Sequence, residues 1–173
     1  MVRVKKLTGI GALGLSTSAA ALAWGYTERN NFRLHEYELP LLEPGVLRGR
    51  SEFRVLHVSD LHMIPGQRKK VEFVSGLDAL EPDLVVNTGD NLSHLEAVPE
   101  VLETMAPLLD RPGVFVMGSN DYYAPRPKNP ALYLTSRYAE APPHRVELPT
   151  AELAAGLCAH GWQHLPNART RMR

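Results

Sequence analysis

Between residues 53 and 165 the chain alternates short apolar runs with longer amphipathic stretches. Val55, Leu56 and Val58 make the first run, Leu84, Val85 and Val86 the second, and Val114, Phe115 and Val116 the third; a polar cluster follows each at once. Runs this brief and nearly continuous predict strands buried on both faces of a layered α/β domain. Between them, Val71, Val74, Leu77 and Leu80 recur at helical spacing and predict a helix over 69–80, closed by Pro82. Val98, Val101, Leu102, Met105, Leu108 and Leu109 predict another over 95–109, with Pro99 in its first turn. Successive strands begin about thirty residues apart, the length of one βαβ step, which predicts a parallel sheet. All its carboxyl ends then share one edge, where open α/β sheets bind ligands.

Outside this core the pattern is looser. Pro125, Pro127, Pro130, Pro142, Pro143 and Pro149 exclude long regular elements across 122–149, apart from a short helix over 131–138. That loop is either a substrate rim or a plain surface excursion. Thr150 stands where it would cap a last helix with Leu153 and Leu157 inward and Gly161 at its end, and Trp162 to Leu165 start a further strand. Upstream, Tyr37-Glu38-Leu39 and Val46-Leu47 suit the two strands of a hairpin.

Composition adds bounds. A length of 173 residues, a formal net charge of +0 and 44% hydrophobic residues suit one globular domain, and no charge excess points to nucleic acid. The single cysteine, Cys158, excludes an internal disulfide. At the N-terminus Arg3, Lys5 and Lys6 precede an apolar run from Leu7 to Trp24, with no further charge before Glu28. Residues 1–26 therefore have the pattern of a signal peptide or a transmembrane anchor. Ala21-Leu22-Ala23 also suits cleavage, so a retained anchor and a cleaved leader both stay open. Either one keeps the basic start cytoplasmic and puts the following domain on the extracytoplasmic side, anchored to the membrane or exported. Residues 27–52 then form a linker, and 53–173 the folded domain.

The candidate chemistry sits at the three strand ends. Asp60-Leu61-His62 sets a carboxylate and an imidazole two positions apart, on one side of the chain if it is extended. Gly89-Asp90 closes the second run, and Gly118-Ser119-Asn120-Asp121 the third. Hard oxygens beside an imidazole nitrogen suit a divalent metal. A turn or helix cap after a strand is the plain alternative for Asp60 and Asp90, and two coincident cases plus a D-x-H favour the metal over it; for Asn120 the alternative is a turn before Asp121. No G-x-G-x-x-G loop follows the first strand, which argues against a nucleotide-binding α/β domain.

In this order and spacing, Asp60-Leu61-His62, Gly89-Asp90-Asn91 and Gly118-Ser119-Asn120-Asp121 resemble the D-x-H, G-D and G-N-H-[DE] motifs of the calcineurin-like metallophosphoesterases. The resemblance implies an αββα sandwich and hydrolysis of a phosphate mono- or diester with two divalent ions, Mn, Fe or Zn. It implies Asp60, His62, Asp90 and Asn120 as metal ligands, Asp90 bridging the ions. The third motif is degenerate: ungapped on Asp121, Ser119 takes the ligand Asn position and Asn120 that of the leaving-group His. A one-residue shift returns Asn120 to the ligand role, which its amide oxygen fills better than a serine hydroxyl. In both registers the leaving-group His is missing, so water or His94 is left as proton donor and no residue is assigned a catalytic role of its own.

The family's later Gly-His-x-His motif has no counterpart, since no Gly-His pair occurs and His144, His160 and His164 are the only later histidines. His160 is expected at a helix end, where an imidazole suits the dipole, and His57 as a packed residue or a support for a ligand. The chain thus resembles the N-terminal part of the domain, an incomplete, C-terminally truncated sandwich. Two consequences stay open: an enzyme whose missing half comes from a partner chain, or a non-catalytic remnant or binding module with the same α/β core. Expected partners are a phosphate-ester substrate and, through the N-terminal segment, a membrane.

Overall fold

The computed structural model describes residues 20–43, 45–126 and 145–171, in two compact units, Met1–Pro40 and Leu41–Arg173. In the first, residues 20–28 are helical (α1) and 31–40 have no regular structure. The Arg29 guanidinium lies 3.9 Å from the centre of the Tyr26 ring, and the Thr27 hydroxyl donates to the Trp24 carbonyl at 2.8 Å. Most of the leader expected over 1–26 lies outside the described residues. Among those described, no helix is long and apolar enough to cross a membrane.

The second unit contains strands β1 (Val55–Val58), β2 (Leu84–Asn87), β3 (Gly113–Phe115) and β4 (Gln163–His164). Its helices are α2 (Arg68–Ser75), α3 (Val98–Leu109), α4 (Ser119–Tyr122) and α5 (Thr150–Ala159). The strands form one parallel sheet in the order β1-β2-β3-β4, with Val55 opposite Leu84, Val86 opposite Val114 and Phe115 opposite His164. This is the mixed α/β architecture that the apolar runs predict.

Helices α2, α3 and α5 share one face of the sheet. Leu56, Val58, Val85 and Phe115 point into it and meet Val74 of α2, Val101, Met105 and Leu108 of α3, and Leu153 and Leu157 of α5, all buried. Each such side chain contributes about 1.5–3 kcal/mol through removal from water. Gly113 is required where Trp162 packs: a Cβ there would run into the indole, whose Nε1 donates to the Arg111 carbonyl at 3.0 Å.

Several expectations need correction. β1 is not buried on both faces: Leu56 and Val58 are buried, whereas Val55 is 54% exposed and His57 is also open. No helix described in this unit packs on Val55 and His57, and the polar His57 between two core residues is the trace of that open side in the sequence. The helix expected over 69–80 ends at Ser75 and continues as a tighter 3₁₀ helix, Gly76–Leu80, stopped by the left-handed Glu81. The upstream hairpin is absent among the described residues: 45–49 form tight turns, with Val46 N–H bonded to the Glu43 carbonyl at 3.3 Å and Arg48 N–H to that of Gly45 at 3.2 Å. Glycines at φ +88 and +97, Gly45 and Gly49, bend the chain where a strand would have to run straight. The short helix over 131–138 lies outside the described residues.

Candidate metal centre

Parallel pairing between β1 and β2 outlasts the strands and carries both polar tips in step. Beyond Val58 the Thr88 N–H donates to the Val58 carbonyl at 3.1 Å, Asp60 N–H to Gly89 at 2.9 Å, His62 N–H to Asp90 at 2.9 Å and Met63 N–H to Asn91 at 2.7 Å. The backbone is not extended there, contrary to the sequence reading. Asp60, His62 and Asp90 all stand in the left-handed region, at φ 56, 43 and 57. Such a conformation costs on the order of 1–3 kcal/mol for a residue with a side chain and persists only where its surroundings enforce it. The cross-loop hydrogen bonds enforce it here, and the resulting curl brings the side chains toward one another.

One oxygen each from Asp60 and Asp90 and a ring nitrogen of His62 lie within 4.8 Å of one another. The His62 Nε2 is 3.7 Å from Asp60 Oδ1. Three ligands held about 2.0–2.2 Å from one ion stand about 3–4 Å from one another, so the group needs about an ångström of closure to grip a cation. Two carboxylate oxygens and an imidazole nitrogen also fit a divalent ion chemically. Ser93 Oγ is 3.2 Å from His62 Nδ1, which engages that nitrogen and leaves Nε2 for the acidic side. The Ser59 hydroxyl donates to the Asp60 carboxylate. Asp60 is exposed while His62 and Asp90 are half-buried, so the group opens to solvent.

The third strand end reaches the same point through α4. Asn120 donates its backbone N–H to Asp90 Oδ1 and its side-chain Nδ2 to Asp90 Oδ2, both at 2.8 Å. The four residues singled out by sequence thus come together, with Asn120 presenting its amide nitrogen, not its oxygen, to Asp90. Close backbone approach makes this possible. Gly89 has φ 91, and a Cβ on it would meet the Gly118 backbone; a Cβ on Gly118 would stand 2.7 Å from the Asp90 nitrogen and collide with its carboxylate.

Supporting residues escaped the sequence reading. Asp121, fully buried, accepts from four backbone N–H groups: Asp90 at 2.8 Å, Asn91 at 2.6 Å, Leu92 at 3.0 Å and Gly118 at 2.9 Å. Beneath it, buried Asn87 and Asn91 join their amides at 2.8 Å, and Asn87 Oδ1 accepts the Gly89 N–H at 2.8 Å. Glu100 on α3 accepts the Gly66 and Gln67 N–H groups at 2.9 and 3.2 Å, tying down the loop after His62. Lys70 donates to the Leu61 carbonyl at 2.5 Å, and burial pushes its ammonium below the ordinary lysine value. The only trace of these roles in the sequence is the presence of polar residues beside the apolar runs. Thr150 is a second correction: its hydroxyl does not cap α5 but donates to the Asp121 carbonyl at 2.5 Å.

The other histidines described in this unit make contacts of their own. His57 Nε2 is 2.8 Å from Thr88 Oγ1, His94 Nδ1 accepts the Glu96 N–H at 3.2 Å, and the His164 ring stacks on Phe115 with centroids 4.8 Å apart. His160 ends α5 as expected, and His144 lies outside the described residues. Compared with known proteins, residues 53–172, more than half of the chain, match a family profile described as calcineurin-like phosphoesterase. No curated protein matches the chain.

Proposed function

The chain belongs to the calcineurin-like phosphoesterase family, and from that premise we propose that it is a metal-dependent hydrolase of phosphate mono- or diesters. The observation that carries this reading is the convergence of Asp60, His62 and Asp90 within 4.8 Å at the ends of two paired strands. These three would hold the first divalent ion. When bound, such an ion supplies positive charge over the phosphoryl oxygens and acidifies water. The chain's own residues prepare that chemistry. Ser93 sets the imidazole, and Asn120 fixes the direction of the Asp90 carboxylate. An amide at Asn120 cannot titrate, so the leaving group takes its proton from solvent or from His94. In this reading Asn120 joins a second ion only after its amide turns to present the oxygen.

A second reading, a core that binds one ion and lacks turnover, is favoured by Asn120, whose amide turns its nitrogen to Asp90 and so withholds its oxygen from a second ion. Elemental analysis after reconstitution with Mn²⁺ separates the two: close to two ions per chain supports the hydrolase, one or none the remnant. The direct test is hydrolysis of a nitrophenyl phosphate mono- or diester. Activity abolished by chelator and by Asp90→Asn supports the hydrolase; activity indifferent to both refutes it. The basic, apolar start of the chain supports placement of this domain on the extracytoplasmic side, at or beyond a membrane. Protease accessibility in sealed membrane vesicles of known orientation tests that placement.

A further inference from the structure

We propose that Asp121 is the positioning residue of the metal centre, holding Asp60, His62 and Asp90 in ligating geometry without touching the ion. The inference rests on the metal reading above and adds a residue to it. The Asp121 carboxylate receives four backbone N–H groups from two different strand-end loops. Three of them belong to the consecutive residues Asp90, Asn91 and Leu92, so the carboxylate clamps the backbone of the ligand loop itself. That same loop offers the Gly89, Asp90 and Asn91 carbonyls that fix Asp60, His62 and Met63. One buried side chain thereby orders both ligand loops, one directly and the other through it.

The strained backbone makes this clamp necessary. Asp60, His62 and Asp90 hold positive φ, and chains relax from that conformation unless their N–H groups are bound elsewhere. The fourth donor, Gly118 N–H, comes from the turn that brings Asn120 onto Asp90, so the clamp also sets the third segment. A negative acceptor is required: an amide in its place keeps one oxygen but turns an NH₂ group toward two of the N–H donors. Thr150 holds Asp121 from behind through its carbonyl.

The test compares Asp121→Asn with Val74→Ala, a buried change on α2 selected for destabilisation, in the full chain. Mn²⁺ affinity by calorimetry is expected to fall about 10–100-fold in Asp121→Asn and to stay within about twofold of wild type in Val74→Ala. Amide exchange in the metal-free chain is expected to quicken at Asp90, Asn91, Leu92 and Gly118 in Asp121→Asn alone. Thr150→Val, a gentler change, should move both readouts the same way and keeps the test available if Asp121→Asn fails to fold. Equal affinity losses in Asp121→Asn and Val74→Ala, or unaltered exchange at these amides in the Asp121 and Thr150 variants, would overturn the proposal. If wild type binds no Mn²⁺, the metal reading falls, and the exchange pattern alone decides whether Asp121 orders the loops.

Discussion

Gly118→Ala isolates one consequence of the close packing at the strand ends. Its φ of −91 is open to any residue, so alanine introduces no backbone strain. The effect is steric: the new methyl would stand 2.7 Å from the Asp90 nitrogen and overlap its carboxylate. Asp90 must swing away and give up two hydrogen bonds from Asn120, each 2.8 Å long. Bonds to a charged group contribute about 1.5–3 kcal/mol each when kept from water. Asp90 is half-buried, and solvent repairs part of the loss, which leaves about 2–3 kcal/mol of destabilisation. Because a proposed ligand itself is displaced, Mn²⁺ affinity should fall by more than the roughly 10–100-fold that follows loss of a supporting residue.

Gly113→Ala is the matched control at the start of β3, the strand that leads to Gly118. There the methyl meets the Trp162 indole, and the cost is overpacking of about 1–3 kcal/mol with one hydrogen bond at risk. Thermal melts and Mn²⁺ titration of both variants make the comparison. Similar losses of Tm with affinity lost only in Gly118→Ala support the reasoning. Wild-type affinity in Gly118→Ala, or equal affinity loss in Gly113→Ala, refutes it.

Further outcomes follow from other contacts. Ser93→Ala removes the partner of His62 Nδ1 and should weaken Mn²⁺ binding about 10–100-fold with little change in Tm, measured by titration and by melting. Gly89→Ala sets a side chain at φ 91 against the Gly118 backbone and should cost about 3 kcal/mol or more in a urea melt. Hydrogen bonds from the Arg50 side chain and then the Arg54 backbone hold the Asp83 carboxyl below the ordinary carboxylate value. Its folded-state pKa is the lower one, so this stabilisation is complete above about pH 4 and disappears as the pH falls through the folded value. Between pH 5 and 3 wild type should therefore lose more Tm than Asp83→Asn; parallel losses would exclude Asp83 as a contributor.

Local signals carried the fold. The apolar runs at 55–58, 84–87 and 113–115 and the helical period of 98–109 depend on neighbours within a few residues, and the structure has strands and a helix there. Pairing across the sheet decided the rest. Nothing near Asp60, His62 or Asp90 in sequence announces a left-handed backbone, because the bonds that enforce it come from residues about thirty positions away. Thr150 has the chemistry of a cap, yet the Asp121 carbonyl competes for its hydroxyl across the fold. Asp121 itself reads locally as a turn acid, and only its four distant N–H partners reveal more.

The sheet runs in chain order, β1-β2-β3-β4, and that bears on how the polypeptide is made. Each new strand can dock on the one just synthesised, so the layer grows from its first edge as the ribosome delivers it, without waiting for a distant segment to return. Asp60, His62 and Asp90 emerge early in this schedule, whereas Asp121 and the Thr150 that secures it arrive late. The nascent chain therefore exposes the Asp60, His62 and Asp90 group before the fastening is in place, and the ordered geometry of that group waits for Asp121 and Thr150.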